Sequence, residues 1–202
     1  MSGLRSMETT HKSTVVLRCK AVVVGDAGVG KTALLQTLKS NGHDYPKNYV
    51  MTSAPELVVK SIPIVDTNSI VELYLLDCPG QSIFNQREFG SMHFEGASMI
   101  ILVFDVNSKE SFKSCMKWYQ DVANPAPNHH INGVLIGNKV DEKEGNRDAI
   151  ALKEAEDFAE QNGLKYFECS ARLGTNIEAP FMHIATTFKK KYDDLADRAE
   201  NN

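Results

Sequence analysis

The chain has 202 residues, 42% hydrophobic and 24% charged, which is enough for one globular domain with a sizeable core. A net charge of −4 argues against a protein that grips nucleic acid through bulk positive charge. Its apolar runs are too short for a membrane-spanning helix, and the polar opening MSGLRSMETTHKST has no signal-peptide core. Cys19, Cys78, Cys115 and Cys169 lie far apart with no C-x-x-C pair, which suits buried thiols in a reducing compartment.

Residues 1–14 read as a loose tail, 15–192 as one domain and 193–202 as a C-terminal tail. The first strand, LRCKAVVV (Leu17 to Val24), runs into GDAGVGKT and then a helix from Lys31 to about Ser40, with Leu34, Leu35 and Leu38 on its apolar face. Asn41 to Pro55 is a long loop rich in Gly, Asn, Ser and Pro. ELVVKSIPIV and IVELYLLD flank Asp66-Thr67-Asn68-Ser69 as a hairpin, and a loop carrying DCPGQ follows. The continuous apolar run MIILVFDV is expected of a strand covered on both faces. SKESFKSCMKWYQDVA reads as a helix with Ser108 as N-cap, and GVLIGNKVD as strand then loop. AIALKEAEDFAEQNG is a helix closed by Gly163, KYFECSA the last strand and NIEAPFMHIATTFKKKYDDLADR the last helix. The alternation predicts an α/β fold: a mostly parallel six-stranded sheet with one antiparallel edge strand and helices on both faces. In such sheets ligands sit at the carboxyl ends of the strands, where GDAGVGKT, DCPGQ, NKVD and CSA all fall.

Gly25, Gly28, Gly30, Lys31 and Thr32 fit G-x-x-x-x-G-K-[ST], the phosphate-binding loop, in its required strand-to-helix setting. Glycines let backbone N–H groups close on phosphate oxygens, and the helix N-terminus adds its positive dipole end. The whole stretch Gly25, Asp26, Ala27, Gly28, Val29, Gly30, Lys31, Thr32 and the following Ala33 is therefore assigned to a nucleoside phosphate. Lys31 reaches the outer phosphates, and the Thr32 hydroxyl ligates Mg²⁺. The plainer alternative is a glycine-rich turn with a surface lysine. Asp77 ends a strand with Gly80 three residues on. In phosphate-loop proteins such an aspartate holds Mg²⁺ and the glycine N–H touches the terminal phosphate, although D-x-x-G is also a common turn. In Asn138-Lys139-Val140-Asp141 the Asp carboxylate accepts from N1–H and N2–H₂ of guanine, a donor pair that adenine lacks, and the Lys139 stem covers the ring. Ser170-Ala171, followed by Arg172, offers a backbone N–H to the guanine O6. Each is weak alone, with capped turns as the competing account. Their joint order at successive strand ends carries the assignment.

On these motifs, and on FDVNSKESFKSCMKWY and SAR…NIEAPF, the chain resembles a small GTPase of the Ras superfamily, Rab-like, over about residues 15–192. NYVMTSAPELVVKSIPIVDTNSIVELYLLDCPG and EAPFMHIATTF resemble more closely the Rab-like GTPase subunits of intraflagellar transport complex B. The resemblance implies GTP or GDP with Mg²⁺ as ligands, and a place in the transport trains of cilia or flagella. It also implies partnership with a small β-sandwich subunit and other train subunits. Thr52 stands where the first-switch threonine ligates Mg²⁺, so Thr32, Thr52 and Asp77 form the expected metal set. Tyr45 falls where an aromatic packs on guanine and Tyr49 where one covers the phosphates; the competing account of both is loop aromatics on an apolar patch. Gln81 stands where a glutamine orients the attacking water, with Lys31 as the second catalytic candidate.

Two features depart from the Rab pattern. Pro79 stiffens the approach to Gly80, and Ser53-Ala54-Pro55-Glu56-Leu57 replaces the usual segment after the switch threonine. The ending ADRAENN carries no cysteine for prenylation and Met1-Ser2 does not fit N-myristoylation, so delivery by a protein partner without a direct lipid anchor is expected. Three readings stand: a GTPase switch, a structural subunit that holds nucleotide with little turnover, and a phosphate-loop kinase or ATPase, which NKVD and CSA disfavour. On the first, Gln81→Leu is expected to slow single-turnover phosphate release while leaving GTP affinity nearly unchanged. Equal release rates from the two proteins would remove Gln81 from the reaction.

Overall fold

The computed structural model describes residues 13–80, 93–123, 130–143 and 150–200. The strands are β1 (Val15–Val24), β2 (Glu56–Pro63), β3 (Ser69–Asp77), β4 (Met99–Asp105), β5 (Asn132–Asn138) and β6 (Leu164–Glu168). The helices are α1 (Lys31–Lys39), α2 (Lys109–Ala123), α3 (Leu152–Gln161) and α4 (Glu178–Glu200), with a short 3₁₀ turn at Val140–Glu142. Strand order is β2-β3-β1-β4-β5-β6. β2 runs antiparallel to β3, and the other pairings are parallel, as the sequence predicts.

Strand periodicity divides the core between the two faces. In β4, Met99, Ile101 and Val103 enter one cluster and Ile100, Leu102 and Phe104 the other. α1 and α4 cover the first face through Leu34, Leu35, Leu38, Phe181 and Ile184. α2 and α3 cover the second through Phe112, Cys115, Trp118, Ala155 and Ala159. Every β4 residue from Met99 to Phe104 is buried, which is why the run lacks polar alternation.

Element ends follow local chemistry. The Ser111 N–H donates to Ser108 Oγ at 3.2 Å, the cap expected at the start of α2. Gly163, at φ 67°, closes α3 and its N–H donates to the Glu160 carbonyl. The hairpin turn begins earlier than predicted, because Ile64 N–H pairs with the Ser69 carbonyl and Asp66 adopts φ 60°. α3 starts later than predicted, because Ile150 is buried and its N–H donates to the Val106 carbonyl. α4 starts after Asn176, whose φ of 55° is not helical, and Pro180 sits in the first turn, where a missing N–H is harmless. It continues to Glu200, through most of the segment read as a tail. Among the described residues no helix is long and apolar enough to cross a membrane. The carboxyl ends of the five parallel strands, β1 and β3 to β6, therefore open on one rim, and that of β2 lies on the other.

Candidate functional site

A cavity of about 400 Å³ lies along that rim, walled by the β1–α1 loop, the loop from Tyr45 to Thr52, Gly80, and the turns after β5 and β6. At the end of β1 the backbone of Gly25 packs against the Val103 carbonyl with no room for a side chain. Gly28 and Gly30 adopt φ 78° and 97°, the left-handed region that glycine enters without strain. Gly30 is the N-cap of α1 and brings no side-chain cap, so the first N–H groups of that helix face the cavity uncovered by their own chain. Lys31 is only 6% exposed and folds back over the loop, donating to the Gly25 carbonyl at 2.8 Å and the Asp26 carbonyl at 3.0 Å. Burial pushes its pKa down, while the charges of Asp77 and Asp26 oppose that fall. The loop thus offers a dipole end, backbone donors and one buried ammonium, which together suit phosphate.

Three oxygens converge beside it. Thr32 Oγ1 donates to Asp77 Oδ2 at 2.6 Å and lies 2.8 Å from Thr52 Oγ1. Its single proton goes to Asp77, so the Thr52 hydroxyl is the donor between the two threonines. The other carboxylate oxygen, Asp77 Oδ1, is buried without a hydrogen-bond partner among the described residues. Burial raises the Asp77 pKa, against the Thr32 hydrogen bond and Lys31. An orphaned carboxylate oxygen flanked by two hydroxyls is the hard, all-oxygen donor set that fits Mg²⁺.

The base-side turns close the other end. Ser170 Oγ donates to Asp141 Oδ1 at 2.5 Å and fixes that carboxylate on the rim. Asn138 is 1% exposed; its Nδ2 donates to the Val29 carbonyl at 2.9 Å and its Oδ1 accepts from Ala171 N–H at 3.1 Å. Lys139 sits at φ 66° with its ammonium 2.8 Å from Asp105 Oδ2, which stretches the aliphatic stem across the cleft end. The Ser170 N–H donates to the Thr175 carbonyl and the Ala171 N–H to Asn138 Oδ1. The buried Asn138 oxygen needs a donor and takes the nearest.

Tyr45 and Tyr49 line the same cavity and are 47% and 72% exposed, so neither is packed away on an apolar patch. Arg172 lies on the base side, 3.7 Å from Glu142. Ala27 and Ala33 complete the wall around the loop. Gln81 lies outside the described residues. Asp105 was not singled out by any motif; its signal was its place at the end of a buried strand, level with Asn138 in the register.

The sequence profile of the Ras family matches residues 20–190. Intraflagellar transport protein 27 of Chlamydomonas reinhardtii is 41% identical over 184 residues, covering 90% of this chain and 89% of its own length. The human homolog of that protein is 39% identical over 183 residues, covering 91% of this chain and 96% of its own. Ras-related protein Rab-1 of Theileria parva is 35% identical over 181 residues, covering 89% and 78%.

The buried carboxyl has a measurable consequence. With the Asp77 pKa raised, the folded ligand-free protein holds that proton more tightly than the unfolded chain. Stability from this group is therefore lost as pH rises from the ordinary carboxylate range through the raised value. Urea midpoints of ligand-free protein across about pH 4 to 7 should show this falling component in the parent and lack it in Asp77→Asn. Identical profiles would mean that burial of Asp77 carries no proton linkage.

Proposed function

The chain belongs to the Ras family, and from that premise we propose that it is a GTP- and GDP-binding subunit of intraflagellar transport trains that hydrolyses GTP slowly. One arrangement carries the reading: a carboxylate fixed for guanine, Asp141 on Ser170, shares a cleft with the phosphate loop and the Thr32–Thr52–Asp77 oxygens. The first element names the base, and the other two name a phosphate chain with its cation.

The roles follow from the geometry. Backbone N–H groups at Gly28, Gly30 and the start of α1 receive phosphate oxygens, and the Lys31 ammonium draws charge off the outer ones. Thr32, Thr52 and Asp77 would hold Mg²⁺, which when bound neutralises charge across the β and γ oxygens. The Gly80 backbone lies against the Asp26–Ala27 peptide at the phosphate end, placed to meet a third phosphate. Lys139 and Asp141 orient the base. Gln81 is proposed to orient the attacking water. Among the described residues the arginine on the cleft, Arg172, is at the base end beside Glu142, away from the phosphate loop, which supports the proposal of slow turnover. A second reading, a subunit that holds nucleotide with little hydrolysis, is favoured by Pro79, which is buried at the entrance to Gly80 and stiffens the segment that would have to rearrange.

We propose that the chain works at the cilium or flagellum and its base, a reading supported by relatives named for intraflagellar transport. The partner inferred is a small β-sandwich train subunit. Affinity capture of the tagged chain from ciliated cells should yield a small stoichiometric partner together with train subunits. Recovery only as a free monomer would sink the train assignment and leave the nucleotide reading standing.

Asp141 gives the sharpest test of the nucleotide reading. Its carboxylate accepts from two guanine donors, and Asp141→Asn turns an NH₂ donor toward one of them. Losing a charge-assisted pair should weaken GTP by about 3 kcal/mol, a hundredfold or more. Xanthine bears a carbonyl where guanine bears its amino group, so the mutant amide finds a complement there. Competition of GTP and xanthosine triphosphate against one fluorescent analogue should show the preference inverted. A folded mutant that still prefers GTP would reduce Asp141 to a turn cap.

A further inference from the structure

Trp118 is the only tryptophan in the chain, lies near the end of α2 and is 7% exposed within the second core cluster. Its indole Nε1–H donates to Asp26 Oδ1 at 2.8 Å, linking residues 92 apart in sequence. Asp26 is the second residue of the phosphate loop. Its own carbonyl accepts from Lys31 Nζ at 3.0 Å. A Cβ built on Gly80 would fall 2.6 Å from that same carbonyl oxygen, so the Gly80 backbone abuts the Asp26–Ala27 peptide. One side-chain bond therefore governs the peptide that holds the phosphate-site lysine and backs the glycine after β3.

The arrangement needs a reason, because a carboxylate at an anion site repels the anion. An indole N–H can only donate, and in Trp118 it is directed at the Asp26 carboxylate. It draws the Asp26 carboxylate toward α2. The carboxylate charge also favours the protonated form of Lys31 against the effect of burial.

Resting on the nucleotide reading of this cleft, we propose that Trp118 is a positioning residue for the phosphate site, which through Asp26 sets the Lys31 and Gly80 contacts and slows nucleotide release. Trp118 touches no phosphate; it acts through the loop peptide. Its emission should consequently respond when the loop is emptied of nucleotide.

The test is release of ribose-labelled fluorescent GDP from the full chain in Mg²⁺, alongside thermal melts. Trp118→Phe keeps a buried ring and removes the N–H, and should release GDP about tenfold faster, the size expected for one hydrogen bond to a charged group. Asp26→Ala cuts the same bond from a partly exposed loop and should do likewise, which covers the case in which the tryptophan variant fails to fold. Asp26→Asn keeps an oxygen for the indole and should recover most of the lost residence time. A carboxylate that merely repels phosphate predicts the opposite sign, slower release from Asp26→Ala, and that result overturns the proposal. So does parental release from folded Trp118→Phe, or an Asp26→Asn no better than Asp26→Ala. A parent that binds no labelled GDP refutes the nucleotide reading itself, and the proposal with it.

Discussion

The cleft depends on one buried amide. Asn138 donates to the Val29 carbonyl in the phosphate loop and accepts from the Ala171 N–H in the turn after β6, so two loops far apart in sequence are held a fixed distance from each other. A side-chain amide carries a donor and an acceptor on the two arms of one planar group, so it does both at once. An aspartate would leave the Val29 carbonyl without its donor, and an apolar residue would leave both backbone groups unpaired. The same side chain explains Gly30 in a way the phosphate motif does not: a Cβ there would strike the Asn138 amide. The distance between the base end and the phosphate end of the site is thus set inside the protein, before any ligand arrives.

Around that fixed frame the site accepts charges that a fold selected for stability alone would avoid. Lys31 and Asp77 are both nearly buried, and burial pushes each toward its neutral form. Each partly relieves the other, and Thr32 adds a hydrogen bond to the carboxylate. Among the described residues Asp77 Oδ1 has no partner, so mutual relief is incomplete. That residual frustration is what a phosphate chain and its cation would resolve, the usual reason for local rules failing together at one place. Neighbouring thiols do not compete for this role: burial pushes Cys78 up to about 12, which leaves it protonated and inert.

The sheet was legible in the sequence because its apolar runs are bounded by turn residues and alternate with helical patterns. Alternating residues of β1 and β4 divide between two clusters, and the buried run of β4 had no other reading than a covered strand. The site was legible where glycine, lysine and aspartate fall in fixed spacing after strands. What escaped was whatever depends on side chains meeting across long separations. Nothing in GDAGVGKT points to Trp118, and nothing in NKVD reveals that Asn138 would claim the Ala171 N–H. Helix and strand ends were misplaced where a tertiary bond overrode local pattern, as when Ile150 pairs with Val106 instead of opening α3.

Thr52 stands apart from the rigid frame, and this difference is the basis for a switch. Tyr49, Val50 and Met51 before it are exposed, so little apolar burial holds this stretch in place. Its link to the phosphate side is the Thr52–Thr32 hydroxyl pair at 2.8 Å. A hydrogen bond of that kind contributes about 0.5–1.5 kcal/mol, comparable to the entropy lost by ordering a single residue. Such a bond cannot set the position of a long loop by itself. A cation shared by Thr32, Thr52 and Asp77, with a phosphate beyond it, would add ligand bonds to the same hydroxyl without disturbing the Asn138 frame. On the proposed nucleotide reading, ligand charge at the threonines would govern the position of the loop while the other end of the cleft stays as it was.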